Sequence, residues 1–272
     1  VNLSSILSFL IAGTVFGLAV FASATDPRAF LNLDAALVVF GGTIAAAAIS
    51  FQIDRLFVMF KVFFVRIFRG HTFDCIPLIE ELMGLAELYR TEPEKLPERI
   101  KTIKDPFLKE GMEGLVEKIM PEADLFRMLT TRSKTIFQRY HNEALRMKSI
   151  AKFPPAFGLM GATLGMISLL RTVATVEGQK NVGPAMAVAL VGTLYGIAFA
   201  NLVLLPVGEQ LIDSARELQI KNRIIVEGLK LIASRQNPVI LAEELNSFLL
   251  AGERINWRKI KKTKTDQNSK AA

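Results

Sequence analysis

The stretch Asn181–Glu209, NVGPAMAVALVGTLYGIAFANLVLLPVGE, carries no charged residue before its last position, yet it is interrupted by Thr193, Tyr195, Asn201, two prolines and several glycines. Its length decides the fold class. A bilayer's hydrocarbon core is about 30 Å thick, and a helix rising ~1.5 Å per residue crosses it with roughly 20 apolar residues. Working outward from this stretch, three more segments meet that requirement: one within Leu3–Ala24, one from Ala35 to Ile53, and one from Phe153 to Leu170. None of them contains Asp, Glu, Lys or Arg. The 272 residues have a mean hydropathy of +0.34 while 22% are charged, so membrane-spanning and water-facing parts share one chain. The first apolar segment ends in Ala22–Ser23–Ala24, which imitates a leader cleavage site. It lacks a basic flank and is too long for a leader's apolar region, so it reads as a retained span.

Basic residues set the expected orientation. The connector Thr25–Asp34 holds only Arg28 among Lys and Arg, and Arg171–Lys180 is short and weakly charged. In contrast, Arg55, Lys61, Arg66 and Arg69 follow the second span, Arg139, Arg146, Lys148 and Lys152 precede the third, and Arg254, Arg258, Lys259, Lys261, Lys262 and Lys264 crowd the tail. The positive-inside rule places these segments and both termini in the cytoplasm. Juxtamembrane basic residues facing anionic lipid account for the net charge of +7, and no nucleic-acid partner is needed.

The region 54–152 is too polar to enter the membrane and too long for a loop, which predicts a helical cytoplasmic domain. In Ile76–Arg90 the apolar residues Ile79, Leu82, Met83 and Ala86 form one helical stripe. Pro93 and Pro97 then break or start helices. Asp105 precedes Pro106 in the pattern of an N-cap before a first-turn proline, and Asn237–Pro238 repeats it. A helix from about Glu122 is expected to run into span three. Leu211, Ile212, Leu218, Ile225, Leu229 and Ile232 predict that span four continues as a long cytoplasmic helix. Beyond Trp257 the pattern is basic and aperiodic, the signature of a disordered tail. The expected organisation is therefore spans one and two in 1–53, a helical domain in 54–152, spans three and four in 153–208, and cytoplasmic helices with a basic tail in 209–272. The single cysteine, Cys75, excludes an intramolecular disulfide. His71 and His141 lack metal-ligand spacing, so neither a metal site nor a cofactor is expected.

The spans offer packing surfaces and hydroxyls but no acid. Gly192, Gly196 and Ala200 in span four, Gly161 and Gly165 in span three, and Gly13 and Gly17 in span one follow the four-residue spacing that lets helices approach. Thr163, Ser168, Thr193 and Tyr195 can bond carbonyls within their own helices, while Asn201 is expected to bond a neighbouring helix. Pro155 lies at the start of span three, and Pro206 is expected to kink span four. An ion-coupled protein needs a titratable group inside the bilayer, where each costs on the order of 3 kcal/mol to insert. These spans supply none, so either no ion moves or the carboxylate comes from another chain. The lack of an intramembrane His or Asp also argues against a hydrolase, and no catalytic residue is assigned.

Four segments carry a family resemblance: LNLDAALVVFGGTIAAAAISF in span two, DPFLKEGMEGL in the middle domain, PPAFGLMGATLGMISLL in span three, and GPAMAVALVGTLYGIAFANLVLLPVGEQL in span four. In this order, with a long insert after two spans, they resemble the MotA/PomA stator subunits of the bacterial flagellar motor. The related TolQ and ExbB subunits have a single span before their soluble domain. The resemblance implies a homopentamer in the inner membrane around a MotB-like, single-span, peptidoglycan-binding partner whose aspartate carries the ion. It also implies torque on the rotor protein FliG. Thr193 matches the family's pore threonine, while Pro155 and Pro206 match prolines implicated in coupling. Ala162 stands where the sodium-driven branch has a threonine. Alanine offers no oxygen to sodium, which points to protons; a shift of one residue would bring Thr163 to that position and reverse the inference. Arg90 and Glu98 are the implied rotor-facing charges, although a polar, proline-containing run replaces the family's glycine between them.

The resulting expectation is an all-α polytopic membrane protein with four transmembrane helices and a helical cytoplasmic domain, acting as the ring subunit of an ion-driven stator and not as an enzyme. A TolQ/ExbB-type motor for outer-membrane or surface-motility machinery and a non-conducting membrane scaffold are the competing readings.

Overall fold

The computed structural model describes residues 3–23, 30–51, 75–173, 182–249 and 254. His71, the basic stretch Arg55–Arg69 and the tail residues named above, apart from Arg254, lie outside these. Every regular element among the described residues is helical. In chain order these are α1 (Leu3–Ser23), α2 (Leu33–Ser50), α3 (Cys75–Thr91), α4 (Leu96–Lys101), α5 (Pro106–Glu117), α6 (Glu122–Ile150), α7 (Phe153–Thr172), α8 (Val182–Phe199), α9 (Leu205–Ala233) and α10 (Pro238–Leu245). Wide π-turns occupy Leu37–Gly41 inside α2 and Ala200–Leu204 between α8 and α9. The chain divides into two compact units, Val1–Thr72 with Tyr140–Ser214 and Phe73–Arg139 with Ala215–Ala272.

Among the described residues, three helical stretches are long and apolar enough to cross a membrane: Leu33–Ser50, one within Glu122–Arg171 and one within Ala185–Ala233. Leu10–Ala22, within α1, is a shorter apolar stretch. Only 22%, 17% and 35% of the most apolar 18 residues of those three stretches is buried inside the chain. Most of this surface therefore needs lipid or protein against it.

α7 and α8 form an antiparallel pair, shown by the order of their closest approaches. A Cβ added at Gly196 would stand 2.4 Å from the Pro154 carbonyl oxygen, one at Gly158 would stand 2.7 Å from the Gly192 carbonyl oxygen, and one at Gly165 would stand 3.1 Å from the Ala189 Cβ. The first two are contacts with backbone that admit no side chain, and the third is a tight contact with a methyl group. The expected small-residue faces are correct for Gly165 and Gly196, but the main α7 contact is Gly158, seven residues from Gly165 and on the same face. Gly161 turns instead towards Val38 of α2. A Cβ at Gly13 or Gly17 would meet nothing within 4 Å, so the α1 glycines make no packing face among the described residues. Below the pair, Ala47, Met147, Ile150, Ala151, Leu204 and Val207 close a small core. Glu209, the charge that ends the opening stretch, meets Lys148 at 2.6 Å in a largely exposed pair that adds little stability.

α6 does not run unbroken into α7. It stops at Ile150, and Ala151–Lys152 form a turn before Phe153. Pro154 and Pro155 cause this break: they have no N–H to continue the ladder and tolerate only first-turn positions.

The second unit has an ordinary interior. Ile79, Leu82, Leu85 and Ala86 of α3 pack with Leu96, Leu108, Met112, Leu129, Ile225, Leu229, Leu241 and Leu245. The expected α3 stripe is confirmed, with Met83 only partly buried. Ile225, Leu229 and Ile232 of the α9 stripe are buried here, and Ile212 is buried in the first unit. Gly111 leaves room for Leu229, and Gly228 leaves room for Leu82. Both proposed caps form. Asp105 Oδ1 accepts from the N–H groups of Phe107 at 2.9 Å and Leu108 at 3.0 Å, and Asn237 Oδ1 accepts from Val239 at 3.1 Å. The other oxygen of Asp105 pairs with Lys221 Nζ at 2.5 Å, both side chains being mostly covered.

Asp105 thus closes the start of α5 and ties it to α9. Asp105→Ala is expected to lower the stability of the second unit by about 2 kcal/mol, combining the lost cap with an unpaired, mostly covered Lys221. Chemical denaturation of the purified chain in detergent, followed by circular dichroism, would measure this. Gly196→Val is expected to abolish accumulation of the chain in membranes, because its side chain must displace the Pro154–Pro155 backbone; immunoblotting of membrane fractions reads the loss.

Candidate functional site

The α7–α8 crossing brings together several of the residues singled out in the sequence. The Thr193 side chain is part-buried there, and its hydroxyl has two acceptors within reach, the Ala189 carbonyl at 3.2 Å in its own helix and the Gly158 carbonyl at 3.4 Å on α7. One proton cannot serve both fully, and both distances lie beyond the usual hydroxyl range, so the group is weakly held. Pro155 is half-buried at the same crossing, its Cα 3.1 Å from where a Cβ on Gly196 would stand. Gly196 lies about one turn along α8 from Thr193. Ala162, half-buried, lies one turn along α7 from Gly158. Thr163 is exposed and donates to the Met160 carbonyl at 2.7 Å, a bond within its own helix. Five residues from Gly158, it lies about 140° around α7 from the α8-facing line.

Pro206 does not share this crossing. It lies about 20 Å along the helix from Thr193, as the second residue of α9, directly after the π-turn Ala200–Leu204. Its ring would clash with the carbonyl four residues earlier in an α-helix. A widened turn opens that space, and the Leu205 N–H bonds the Ala200 carbonyl five residues back. The expected kink is thus realised locally as a change of hydrogen-bond register. Asn201 departs from expectation: its Nδ2 donates to the Ile197 carbonyl at 2.9 Å within its own strand of helix, not to a neighbour. The widened turn disturbs the backbone ladder there, and a side-chain amide one turn away can serve the carbonyl.

Tyr195 also departs from expectation, in the opposite direction. Its hydroxyl donates to the Phe30 carbonyl and accepts from the Asn32 N–H at 3.3 Å, so it bonds the lead-in to α2 and not its own helix. Asn32 in turn caps α2 through Ala35. Residue spacing within one helix could not have revealed this pairing, because the partner lies more than 160 positions away. Gly158 was equally hidden, as it lies outside the four-residue pattern.

In the second unit, Arg90 is exposed in the last turn of α3 and Glu98 is exposed in the first turn of α4. Each charge complements its helix terminus. A 3₁₀ turn, Pro93–Lys95, separates them. The ion pairs of this region use Arg99, which reaches Glu81 at 3.5 Å, and Lys95, which meets Glu92. His141 is half-buried on α6. Among the described residues, no three His, Cys, Asp or Glu side chains cluster as metal ligands would.

Set against known proteins, residues 99–246 match the MotA/TolQ/ExbB proton channel family. Motility protein A of Borreliella burgdorferi is 30% identical over 257 residues, covering 93% of this chain and 96% of the relative. The chemotaxis protein PomA of Vibrio alginolyticus is 25% identical over 246 residues, covering 90% and 94%. Among solved structures, the fold matches that of MotAB from C. jejuni, with a TM-score of 0.83, 23% identity and coverage of 92% of this chain and 97% of that one. It also matches the flagellar MotAB stator complex of Bacillus subtilis, with a TM-score of 0.82, 23% identity and coverage of 92% and 98%. With its acid-free apolar helices, its paired α7 and α8, and relatives that span almost its full length, the chain belongs to the MotA/TolQ/ExbB proton channel family, in the MotA/PomA branch.

Proposed function

We propose that this chain is the ring subunit of an ion-driven flagellar stator in the bacterial inner membrane, spanning it four times with both termini in the cytoplasm. α1, α2, α7 and the α8 segment are the four spans. The observation that carries the reading is chemical: the apolar helices hold a hydroxyl at a tight crossing and no Asp, Glu, His, Lys or Arg between Ala35 and Ile53, Phe153 and Leu170, or Asn181 and Gly208. Such a lining can host a carboxylate but cannot replace it. A MotB-like partner with one acidic span and a peptidoglycan-binding domain supplies the missing group, and a homopentamer encloses it. The similarity to motility proteins and to MotAB assemblies supports this pairing.

In the proposed cycle a proton neutralises the partner's carboxylate beside Thr193. A charged side chain costs on the order of 3 kcal/mol at the centre of a membrane helix, and moving one charge through 100 mV supplies about 2.3 kcal/mol. The two magnitudes are comparable, so each ion can reset the fit between partner and lining. Pro155, packed at the Thr193 crossing, and Pro206, behind the π-turn, relay that change to the second unit. There Arg90 and Glu98 engage charged groups of the rotor protein FliG. Ala162 on the flank of the crossing favours protons over sodium. Thr163 faces away from α8 within the chain, which weakens it as a sodium ligand.

Two measurements test this reading. The chain alone in liposomes is expected to pass no ions, whereas the chain with its partner, freed of the partner's plug segment, conducts protons; full cation conduction by the chain alone would overturn it. In cells, deletion is expected to abolish swimming while leaving outer-membrane function intact, and swimming speed is expected to persist in sodium-free medium. An outer-membrane defect would move the chain to the TolQ/ExbB type. Pro155→Ala is expected to cut torque at least tenfold with the chain still in the membrane, as read by tethered-cell rotation; normal torque would remove Pro155 from the relay.

A further inference from the structure

α8 is gripped on two sides. Gly158, Pro154 and Pro155 of α7 press on the side that carries Thr193 and Gly196. On another side, Tyr195 bonds the Phe30 carbonyl and the Asn32 N–H, and its ring lies 6.3 Å from that of Phe40, which also meets Phe199 edge-on at 5.0 Å. Nearby, a Cβ on Gly192 would stand 3.7 Å from the Ala35 Cβ. Thr193 and Tyr195 are two positions apart, about 200° around a helix, so their side chains project to nearly opposite sides.

The position of the tyrosine also matters. It lies about 20 Å along α8 from Val182, beside the irregular backbone of Leu31 and Asn32 that leads into α2 of the same chain. Backbone groups of irregular segments packed among apolar helices need partners. The tyrosine hydroxyl provides one donor and one acceptor to that lead-in, a double role that phenylalanine cannot fill. The clasp and the α7 crossing together resist rotation of α8 about its own axis. Rotation in either direction either breaks the Tyr195 bonds or drives the Gly196 face into the Pro154 backbone.

We propose that Tyr195 is a positioning residue for Thr193: its hydroxyl clasp on the start of α2 fixes the azimuth of α8 and thereby aims the Thr193 hydroxyl. The proposal rests on the stator reading for what Thr193 does, but the clasp itself is a property of this chain. Tyr195→Phe keeps the ring against Phe40 and removes only the hydroxyl, so the fold is expected to persist.

The test has two arms, both in the full chain co-expressed with its MotB-like partner and carrying Cys75→Ser. In the first, Ala35→Cys and Gly192→Cys place two thiols at disulfide distance, and the rate of oxidative cross-linking is compared with Tyr195 and with Phe at that position. The rate is expected to fall about fivefold in the phenylalanine variant, the factor one net hydrogen bond is worth. An unchanged rate overturns the clasp. In the second, without the added cysteines, proton flux through the unplugged complex is measured against external pH. Tyr195→Phe is expected to shift the half-saturating proton concentration at least threefold, with equal amounts of assembled complex. A lower maximal flux at an unshifted half-saturation point, together with slowed cross-linking, overturns the positioning role and leaves Tyr195 a structural clasp. Absence of flux in the parent complex would instead count against the stator reading, and the cross-linking arm would still decide the clasp.

Discussion

Direct backbone contact between α7 and α8 is the constraint on which the first unit depends. Apolar side chains gain nothing by leaving lipid for one another, so association in a membrane relies on close packing and on polar contacts. Here the packing is pushed to its limit. At Gly196 the neighbouring main chain comes so near that one methyl group could not be added. This contact fixes the depth at which Thr193 meets α7 and the height at which Pro155 enters. It also leaves most of the outer apolar surface, from Leu18 to Ile49, facing away from the chain's own core.

The second unit is held by different physics. Leucine and isoleucine from several helices bury one another in a water-excluding interior, where the hydrophobic effect operates. Its charged groups do local work: Asp105 caps a helix and meets Lys221, and Arg235, in the left-handed conformation after α9, lays its guanidinium 5.9 Å from the Tyr89 ring centroid. That cation–π contact offsets part of the strain of a non-glycine residue at positive φ.

The contrast between the units explains what could be read from the residues alone. Features governed by sequence neighbours were legible: the helical periods of α3 and α9, the caps at Asp105 and Asn237, and the long apolar stretches of α2, α7 and α8. The break before α7 was not, since the helix from Glu122 was expected to run on into that span. The lack of an intramembrane acid was legible too, because it is compositional. Features that depend on which helix lies beside which were not. Gly158 and Gly161 are equally small, yet one touches α8 and the other α2. Tyr195 and Asn201 are both polar residues in one apolar helix, and each bonds on the side opposite to expectation. The π-turn before Pro206 has a local cause, yet a proline is compatible with a kink, a break or a widened turn, and surrounding packing selects among them.

The loose bonding of Thr193 acquires meaning beside the firm anchoring around it. Its hydroxyl divides itself between two carbonyls at 3.2 and 3.4 Å, while Tyr195 and the glycine contacts hold the helix that carries it. Surrendering a weak bond to a neutral carbonyl costs little, whereas donating to an ionised carboxylate yields a charge-assisted bond about twice as strong as a neutral one. In the proposed cycle, once the partner's carboxylate is protonated, the advantage disappears and the hydroxyl can return to its carbonyl. In that proposed cycle, a rigid helix bearing one weakly committed hydroxyl can therefore respond to a single proton without a carboxylate of its own.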